Sequence, residues 1–383
     1  MVSKTGKLSS QDLLKKNVLE TDLCTGCGAC VGLCPYQLIY HDRTVQLHRC
    51  DLDDGNCHAF CPRSEIDLGL LRSGLFDSAD LTPEIGAVKG YYLSRATDAK
   101  LREIAQHGGT VTALMELALA RGLIDSAIVS SGPRDFEQNS IKVEDRAGLR
   151  RKTGSKFTVS PTVAAFNQIS AQNSQNIGVV ATPCQALALA KMKLKLLKND
   201  TGNIDKLKIV VGLYCGWTLS AEKFKALLLR NNIDSGTLTG MDIPAGKKAL
   251  ELHAGNVTKL IPFADVQPCI RKSCGYCFDS TAEYADISVG SARFGNEWEE
   301  MREWNQLIVR TAKGKELVDL ARKCGVLEIR EVPVGMLKEL KKAAAEKKRT
   351  ALKNIIKKSG SAKNLLYLKS SDSIVKKYLE KNR

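Results

Sequence analysis

The sequence predicts an α+β protein with α/β elements in three parts: a cysteine-rich N-terminal unit, a mixed α/β body and a basic helical tail. Three observations carry this. Seven cysteines crowd into residues 24–61. From about residue 90, apolar strands alternate with amphipathic helices, the pattern of a mixed or parallel sheet covered on both faces. From Lys338 to Arg383, fifteen Lys and Arg face four Asp and Glu, so this short stretch holds most of the net charge of +15. The parts read as 1–75, a linker over 76–90, the body over 91–333 and the tail over 334–383.

The N-terminal unit begins with CTGCGACVGLCP, residues 24–35, and continues with CDLDDGNCHAFCP, residues 50–62. The spacing Cys-x-x-Cys-x-x-Cys-x-x-x-Cys-Pro wraps thiolates around an iron–sulfur cubane, and its fourth Cys reaches a neighbouring cluster. Zinc also uses Cys-x-x-Cys pairs but does not need seven cysteines in this register. The crossing rule assigns Cys24, Cys27, Cys30 and Cys61 to one cluster. Cys34, Cys50 and Cys57 remain for a second, one thiolate short. Asp54 occupies the vacated position. The second site is then completed by that carboxylate, holds a three-iron cluster, or is empty; three spare cysteines kept in register favour two clusters.

The body reads as follows. AKLREIAQ is helical, Gly108-Gly109 interrupts, and TVTALMELALARG resumes a helix that Gly122 closes. SAIVSS is a strand, PTVAAFNQISAQNS an amphipathic helix, and NIGVVA a strand running into the helix of TPCQALALAKMKLK. LKIVVGLYC is a further apolar strand ending in a Cys. Cys184 and Cys215 therefore fall at carboxyl ends of strands, where such folds place ligands. From about residue 236 short strands follow, then CIRKSCGYC, the strands ADISVGS and NQLIVRT, and the helix KGKELVDLARKCG. Cys184, Cys215, Cys274 and Cys277 could form a third four-thiolate set for a cubane or zinc, with Cys269 able to replace one member. Cys324 reads as a packing thiol.

Composition narrows the function classes. The cysteines cluster as metal ligands rather than disulfides. The N-terminus lacks an apolar leader, and no apolar run approaches the roughly 18 residues of a membrane span. The expectation is a cytoplasmic protein, at most peripheral to a membrane complex, without a transmembrane segment. The tail has almost no aromatic residues and no nucleic-acid module around it, so nucleic acid is not expected. It reads as a solvated charged helix or as a docking surface for an acidic partner.

Between residues 89 and about 345 the motifs YYLSRATDAKLREIAQHGGTVTALMELALARGLIDSAIV, TGSKFTVSP, ATPCQ, GLYC, SCGYCFDSTAEYADISVGS and NQLIVRT follow one another. In this order the chain resembles the family of coenzyme F420 hydrogenase/dehydrogenase beta subunits, and its N-terminal unit resembles the ferredoxin-like 2[4Fe-4S] extension of dehydrogenase-type members. The resemblance implies an FAD-binding domain beside a [4Fe-4S] cluster held by Cys184, Cys215, Cys274 and Cys277. It places flavin contacts at Gly108, Gly109, Thr110, Thr112, Gly154, Ser155, Lys156, Ser160 and Pro161, with Thr182 and Gln185 of the ATPCQ motif. Glycines at a helix start suit a phosphate, and Lys156 would offset its charge or polarise the flavin edge. Two departures stand out: His107 where the family often has an acid, and Phe157 where it often has Tyr. His107 reads as a packing residue, or as a proton-handling group near the flavin.

The resulting expectation is an oxidoreductase subunit. It passes electrons between a hydride carrier, coenzyme F420 or NAD(P)H, and partner redox subunits through FAD and two or three [4Fe-4S] clusters. The alternatives are a self-contained reductase of an organic substrate, like 7-hydroxymethyl chlorophyll a reductase, and a non-enzymatic electron-transfer adaptor.

Overall fold

A central sheet of eight strands carries the body of the computed structural model, which describes residues 8–50, 52, 54–131, 139–172, 174–196, 203–244, 247–255, 257–294 and 300–380. The strands are β1 (Gly90–Ala96), β2 (Ser126–Ser130), β3 (Ser140–Val143), β4 (Ile177–Ala181), β5 (Leu207–Leu213), β6 (Ile287–Ser291), β7 (Asn305–Val309) and β8 (Leu327–Glu331). Side by side they run β8-β1-β7-β6-β5-β4-β2-β3. Strands β2, β4, β5 and β6 form a parallel centre. The flanking pairs are antiparallel. IGVVA and LKIVVGL are nearly continuous apolar runs because a central parallel strand is buried on both faces.

The helices that matter are α1 (Leu68–Leu75), α2 (Thr110–Ala120), α3 (Thr162–Ser170), α4 (Pro183–Leu196), α5 (Ala221–Arg230), α6 (Ala312–Lys323), α7 (Met336–Ser359) and α8 (Ser373–Glu380). On one face of the sheet, Leu114 and Leu117 of α2 and Val318 of α6 pack with Val211, Val289 and Leu307. On the other, Phe166 of α3 and Leu189 of α4 pack with Ile128, Val179 and Val210. A satellite unit pairs Leu238–Asp242, Ala249–Ala254 and Val257–Pro262 in a three-stranded sheet under α5.

The N-terminal unit contains more regular structure than loops and turns. A capping box of Ser9 and Asp12 starts the helix Ser10–Leu14, and Gln37–Tyr40 pairs with Arg43–Gln46 as a hairpin. Its small core (Leu14, Val18, Leu23, Val31) is completed by Ala164 of α3. The unit is fastened to the body: the Val163 N–H donates to Cys27 O at 3.0 Å, and Asn167 Nδ2 to Val31 O at 2.7 Å. Gly28 has φ +79°, and a Cβ there would lie 2.6 Å from Ala164 Cβ. Only glycine allows this left-handed turn to lie so close to the helix.

Two expectations are corrected. The stretch 76–90 is not a free linker: Leu81–Thr82 pairs with Gly86–Ala87, and Ile85 and Ala87 are fully buried. Their carbonyls accept from Arg310 Nη1 at 2.6 and 2.8 Å. A buried guanidinium must find oxygens, and these supply them. The tail is helical as expected but is not a free solvated arm. Ala351, Leu352 and Ile355 of α7 and Tyr378 of α8 join the main core. Lys348 is buried and ion-paired with Glu283, which also takes Arg72 of α1. Among the described residues, no helix is long and apolar enough to cross a membrane.

Candidate functional site

The thirteen cysteines are all free thiols: eleven stand in the three groups below, Cys269 packs in the satellite core, and Cys324 packs against the core of the sheet face that carries α2 and α6. In the first group, Cys24, Cys27 and Cys30 lie on a loop whose Gly26 and Gly28 have positive φ, and Cys61 closes it from the helical turn after Asn56–Ala59. Burial, with the Cys61 charge next, pushes the Cys27 thiol up to about 12. Burial and then Cys61 and Cys24 raise Cys30 well above the ordinary thiol range. Cys61 rises to about 11 by burial, eased by Lys191. Such mutually repelling thiols ionise only when a cation or metal takes their charge.

Cations from the body grip this loop. Arg271 donates to Thr25 O at 2.5 Å, Cys24 O at 3.0 Å and Asp42 O at 2.6 Å, and its Nε meets Asp42 Oδ2 at 3.1 Å. Lys191 of α4 donates to Cys61 O at 2.7 Å.

The second group gathers Cys34, Cys50 and Cys57. Burial raises the Cys57 thiol, and Cys34 and Cys50 are the charged neighbours that add to it. Gln11 holds the loop, accepting from the Cys50 N–H at 2.7 Å and donating to His48 O at 2.9 Å. Asp54 is exposed and makes no hydrogen bond or ion pair with the described residues. It precedes Gly55, where an added Cβ would lie 3.7 Å from Cys57 Sγ.

The third group assembles from distant segments. Cys184 opens α4 just past β4, Cys215 follows β5, and Cys274 and Cys277 lie on and just after the 3-10 turn Lys272–Tyr276. Burial pushes Cys184 up to about 12, with Cys27 and Cys277 adding to the shift. Cys215 lies well above its ordinary range through burial and then Cys274, Cys184 and Cys277. Arg63 links the first and third groups, its backbone N–H donating to Cys61 Sγ at 3.4 Å and its Nη2 to Ser273 O, next to Cys274, at 3.4 Å. The Thr218 N–H donates to Cys274 Sγ at 3.3 Å.

The tail holds this group's loop. Lys347 Nζ donates to Gly216 O at 2.7 Å and Cys274 O at 3.2 Å, Asn354 Nδ2 to Gly275 O at 2.9 Å, and the Tyr367 hydroxyl to Tyr276 O at 2.6 Å. Cys269 is not part of the group; it packs with Leu219, Phe224 and Val266 in the satellite core. No three His, Cys, Asp or Glu among the described residues converge on a single metal-ion position. A cubane takes one thiolate at each of four irons, and these four cysteines are a donor set of that kind.

The residues expected around a flavin lie at the carboxyl edge of the parallel strands. Gly109, at φ +73°, starts α2. Thr110 Oγ1 meets Ser94 Oγ at 2.9 Å and its N–H donates to Asn305 Oδ1 at 3.3 Å. Thr112 Oγ1 lies 3.2 Å from Thr153 Oγ1, and Lys156 Nζ donates to Thr153 O at 3.2 Å. Burial and then Lys152 lower the Lys156 ammonium below its ordinary range. Gln185 links the other two segments, accepting from the Thr182 N–H at 2.7 Å and donating to Ser160 O at 2.6 Å. Gly154, at φ +97°, meets only Lys156 Nζ near its absent Cβ, which leaves room for a ligand.

Sequence reading missed the join between this cradle and the third group. Phe157 stands at φ +46°, its carbonyl accepts from the Leu219 N–H at 2.7 Å, and its ring lies 5.9 Å from that of Trp217. Residues 217 and 218 sit between Cys215 and Cys274, so one aromatic contact connects both sites. Its only sequence signal was a Trp beside GLYC. His107 stands apart from the thiols: Nδ1 lies 3.2 Å from Arg302 O, and burial lowers the imidazole, with Asp242 opposing.

A mixed α/β sheet with thiol-lined loops and an iron–sulfur unit at its edge defines an iron–sulfur oxidoreductase. Residues 18–40 match the 4Fe-4S binding domain, 91–167 the N-terminal part of Coenzyme F420 hydrogenase/dehydrogenase, beta subunit, and 174–334 its C terminus. The chain belongs to the family of coenzyme F420 hydrogenase/dehydrogenase beta subunits. It is 31% identical over 252 residues to coenzyme F420 hydrogenase subunit beta of Methanococcus voltae, covering 64% of this chain and 86% of that one. To the corresponding subunit of Methanothermobacter thermautotrophicus it is 29% identical over 277 residues, 71% of this chain and 95% of the relative. With a subunit of the F(420)H(2) dehydrogenase of Methanosarcina mazei it shares 25% over 338 residues, 85% and 91% of the two chains. The fold matches a chain of the F420-reducing [NiFe] hydrogenase complex from Methanosarcina barkeri with a TM-score of 0.64 at 23% identity, over 72% of this chain and 95% of that one.

Proposed function

We propose that this chain is an electron-input subunit that accepts reducing equivalents from reduced coenzyme F420 on a bound FAD and passes them through [4Fe-4S] clusters to a partner redox subunit. The observation that supports it most is the contiguous order of sites: the glycine-rich cradle meets the third cysteine group through Phe157 and Trp217, and Arg63 bridges that group to the first, bonding Cys61 Sγ and Ser273 O. Bound FAD would supply the change from electron pairs to single electrons, and the clusters would carry these onward.

The chain's own residues bind, orient and shield. The first turn of α2 and Lys156 would meet the flavin's phosphates. Gln185 fixes Thr182 against Ser160 so that the edge of the cradle stays rigid. Cys184, Cys215, Cys274 and Cys277 would hold the cluster beside it, Cys24, Cys27, Cys30 and Cys61 the next, and Cys34, Cys50 and Cys57 the outermost, with Asp54 as the available carboxylate. Cys27, Cys30 and Cys61 are buried and kept from water, while Cys24 and the four cysteines of the third group are half-buried.

The test is anaerobic purification followed by assay of iron, sulfide and flavin, then stopped-flow mixing with F420H2 or NADH. About twelve irons per chain indicate three cubanes, and about eight an empty second group. Flavin absorbance bleached by F420H2 and not by NADH is the expected result. Bound flavin that neither donor bleaches, or no bound flavin at all, rejects the proposal.

A further inference from the structure

Arg63 follows the Cys61-Pro62 step, and its two ends serve two cysteine groups. Its backbone N–H donates to Cys61 Sγ at 3.4 Å. Its side chain enters a crevice lined by Cys184, Cys277, Leu187 and Tyr367. There Nη2 donates to Ser273 O at 3.4 Å, and the guanidinium lies 4.6 Å from the centre of the Tyr367 ring. The residue is 3% exposed, and Nε is buried without a hydrogen-bond partner. A buried guanidinium requires a counter-charge or a full set of acceptors. Arg271 and Lys191 cross the same seam and are satisfied, Arg271 by the Asp42 carboxylate and Lys191 by carbonyl and hydroxyl oxygens. Arg63 has no carboxylate in ion-pair range among the described residues. Burial works against its charge; the Tyr367 hydroxyl beside it is protonated, donating to Tyr276 O, and the neighbours able to carry a counter-charge are Cys277 and Cys184.

We infer that Arg63 is a positioning residue: a fixed buried cation whose counter-charge is the Cys184 and Cys277 thiolates of the third group, and which raises the reduction potential of the cluster held there. This rests on the reading of those cysteines as a [4Fe-4S] site. Each electron that enters adds one negative charge to the cluster and its thiolates, and Arg63 answers it by proximity while keeping all its protons. A nearby positive charge favours the reduced form, and outer partners tune a metal centre in this way. Because the Arg63 backbone also bonds Cys61, the same residue ties this cluster's position to that of the first group.

The test uses the full chain, loaded with iron and sulfide under anaerobic conditions and titrated with dithionite while EPR signals are followed. Cys274→Ser identifies the signal of the third group by its loss, with about four fewer irons per chain. If that variant keeps all its iron and every signal, the cluster reading itself is wrong. With the signal assigned, Arg63→Gln keeps a hydrogen-bonding side chain but removes the charge. The expected result is unchanged iron and a third-group signal that appears only at more negative potential, while Arg63→Lys titrates between Gln and the parent. Should Arg63→Gln fail to fold, Arg63→Met, with an apolar stem against Tyr367, carries the same reading. A neutral variant that titrates at the parent's potential overturns the inference, as does a Lys variant displaced as far as the neutral one.

Discussion

The first and third cysteine groups each hold four thiols, yet they are built in opposite ways. Three members of the first sit within seven residues of one loop, and the left-handed glycines Gly26 and Gly28 set its shape. The third draws Cys184 and Cys215 from the ends of two adjacent parallel strands and Cys274 and Cys277 from a separate turn. Local geometry suffices for most of the first. The third exists only when the strand order is correct and α7 holds the loop at residues 274–277. A distributed site is therefore as stable as the domain that carries it, whereas the loop site takes three of its four thiols from its own backbone and leans on the body only through Cys61, Arg271 and α3.

That contrast can be broken by mutation. The largest effect belongs to Lys348→Met, which leaves buried Glu283 with Arg72 alone and removes a 2.7 Å bond to Phe278 O. The expected loss is about 3–5 kcal/mol, the usual consequence of removing one partner of a buried ion pair. Thermal unfolding measures it, and the third-group EPR signal should disappear at a lower temperature than the first; simultaneous loss would erase the distinction.

Gly28→Ala attacks the loop site instead. The new Cβ would sit 2.6 Å from Ala164 Cβ and 2.8 Å from Ala164 N at φ +79°. About 1–3 kcal/mol of strain is expected, with the first-group signal altered and the third retained. Cys269→Ala sharpens the membership of the third group. It should cost about 1 kcal/mol as a core truncation and leave the iron content unchanged; a loss of iron would return Cys269 to the ligand set. The smallest effect is that of Asp54→Ala, an exposed change within about 0.5 kcal/mol of neutral. Any EPR change it causes should be confined to one cluster, and the absence of a change would make the carboxylate a bystander.

The central strands β4 and β5 are legible in the sequence because they are apolar runs next to helical spacing. The edge strand β8, LEIRE, is not, since its alternation is short and charged, and its pairing with β1 makes it a strand. Helix α5, AEKFKALLLR, is equally hard to read, because its apolar face finds a partner only in the satellite sheet. In the site, the cysteines of the N-terminal runs and the Cys274/Cys277 pair announce themselves by spacing and Cys184 and Cys215 by their place at strand ends, while Arg63, Lys191, Trp217, Thr218 and Lys347 do not. A lone cation or aromatic has no periodicity, and its role comes from what the fold brings against it.

By itself, then, the sequence determined the thiol-bearing loops, the central parallel strands and the glycine-started helix, because each follows from spacing within a few residues. Tertiary structure decided that 76–90 is pinned by Arg310, that the basic tail clamps the 274–277 loop, and that Arg63 reaches from one cysteine group to the next. These depend on satisfying buried charges and carbonyls across long stretches of chain, and partners of that kind become identifiable only when folding brings them into contact.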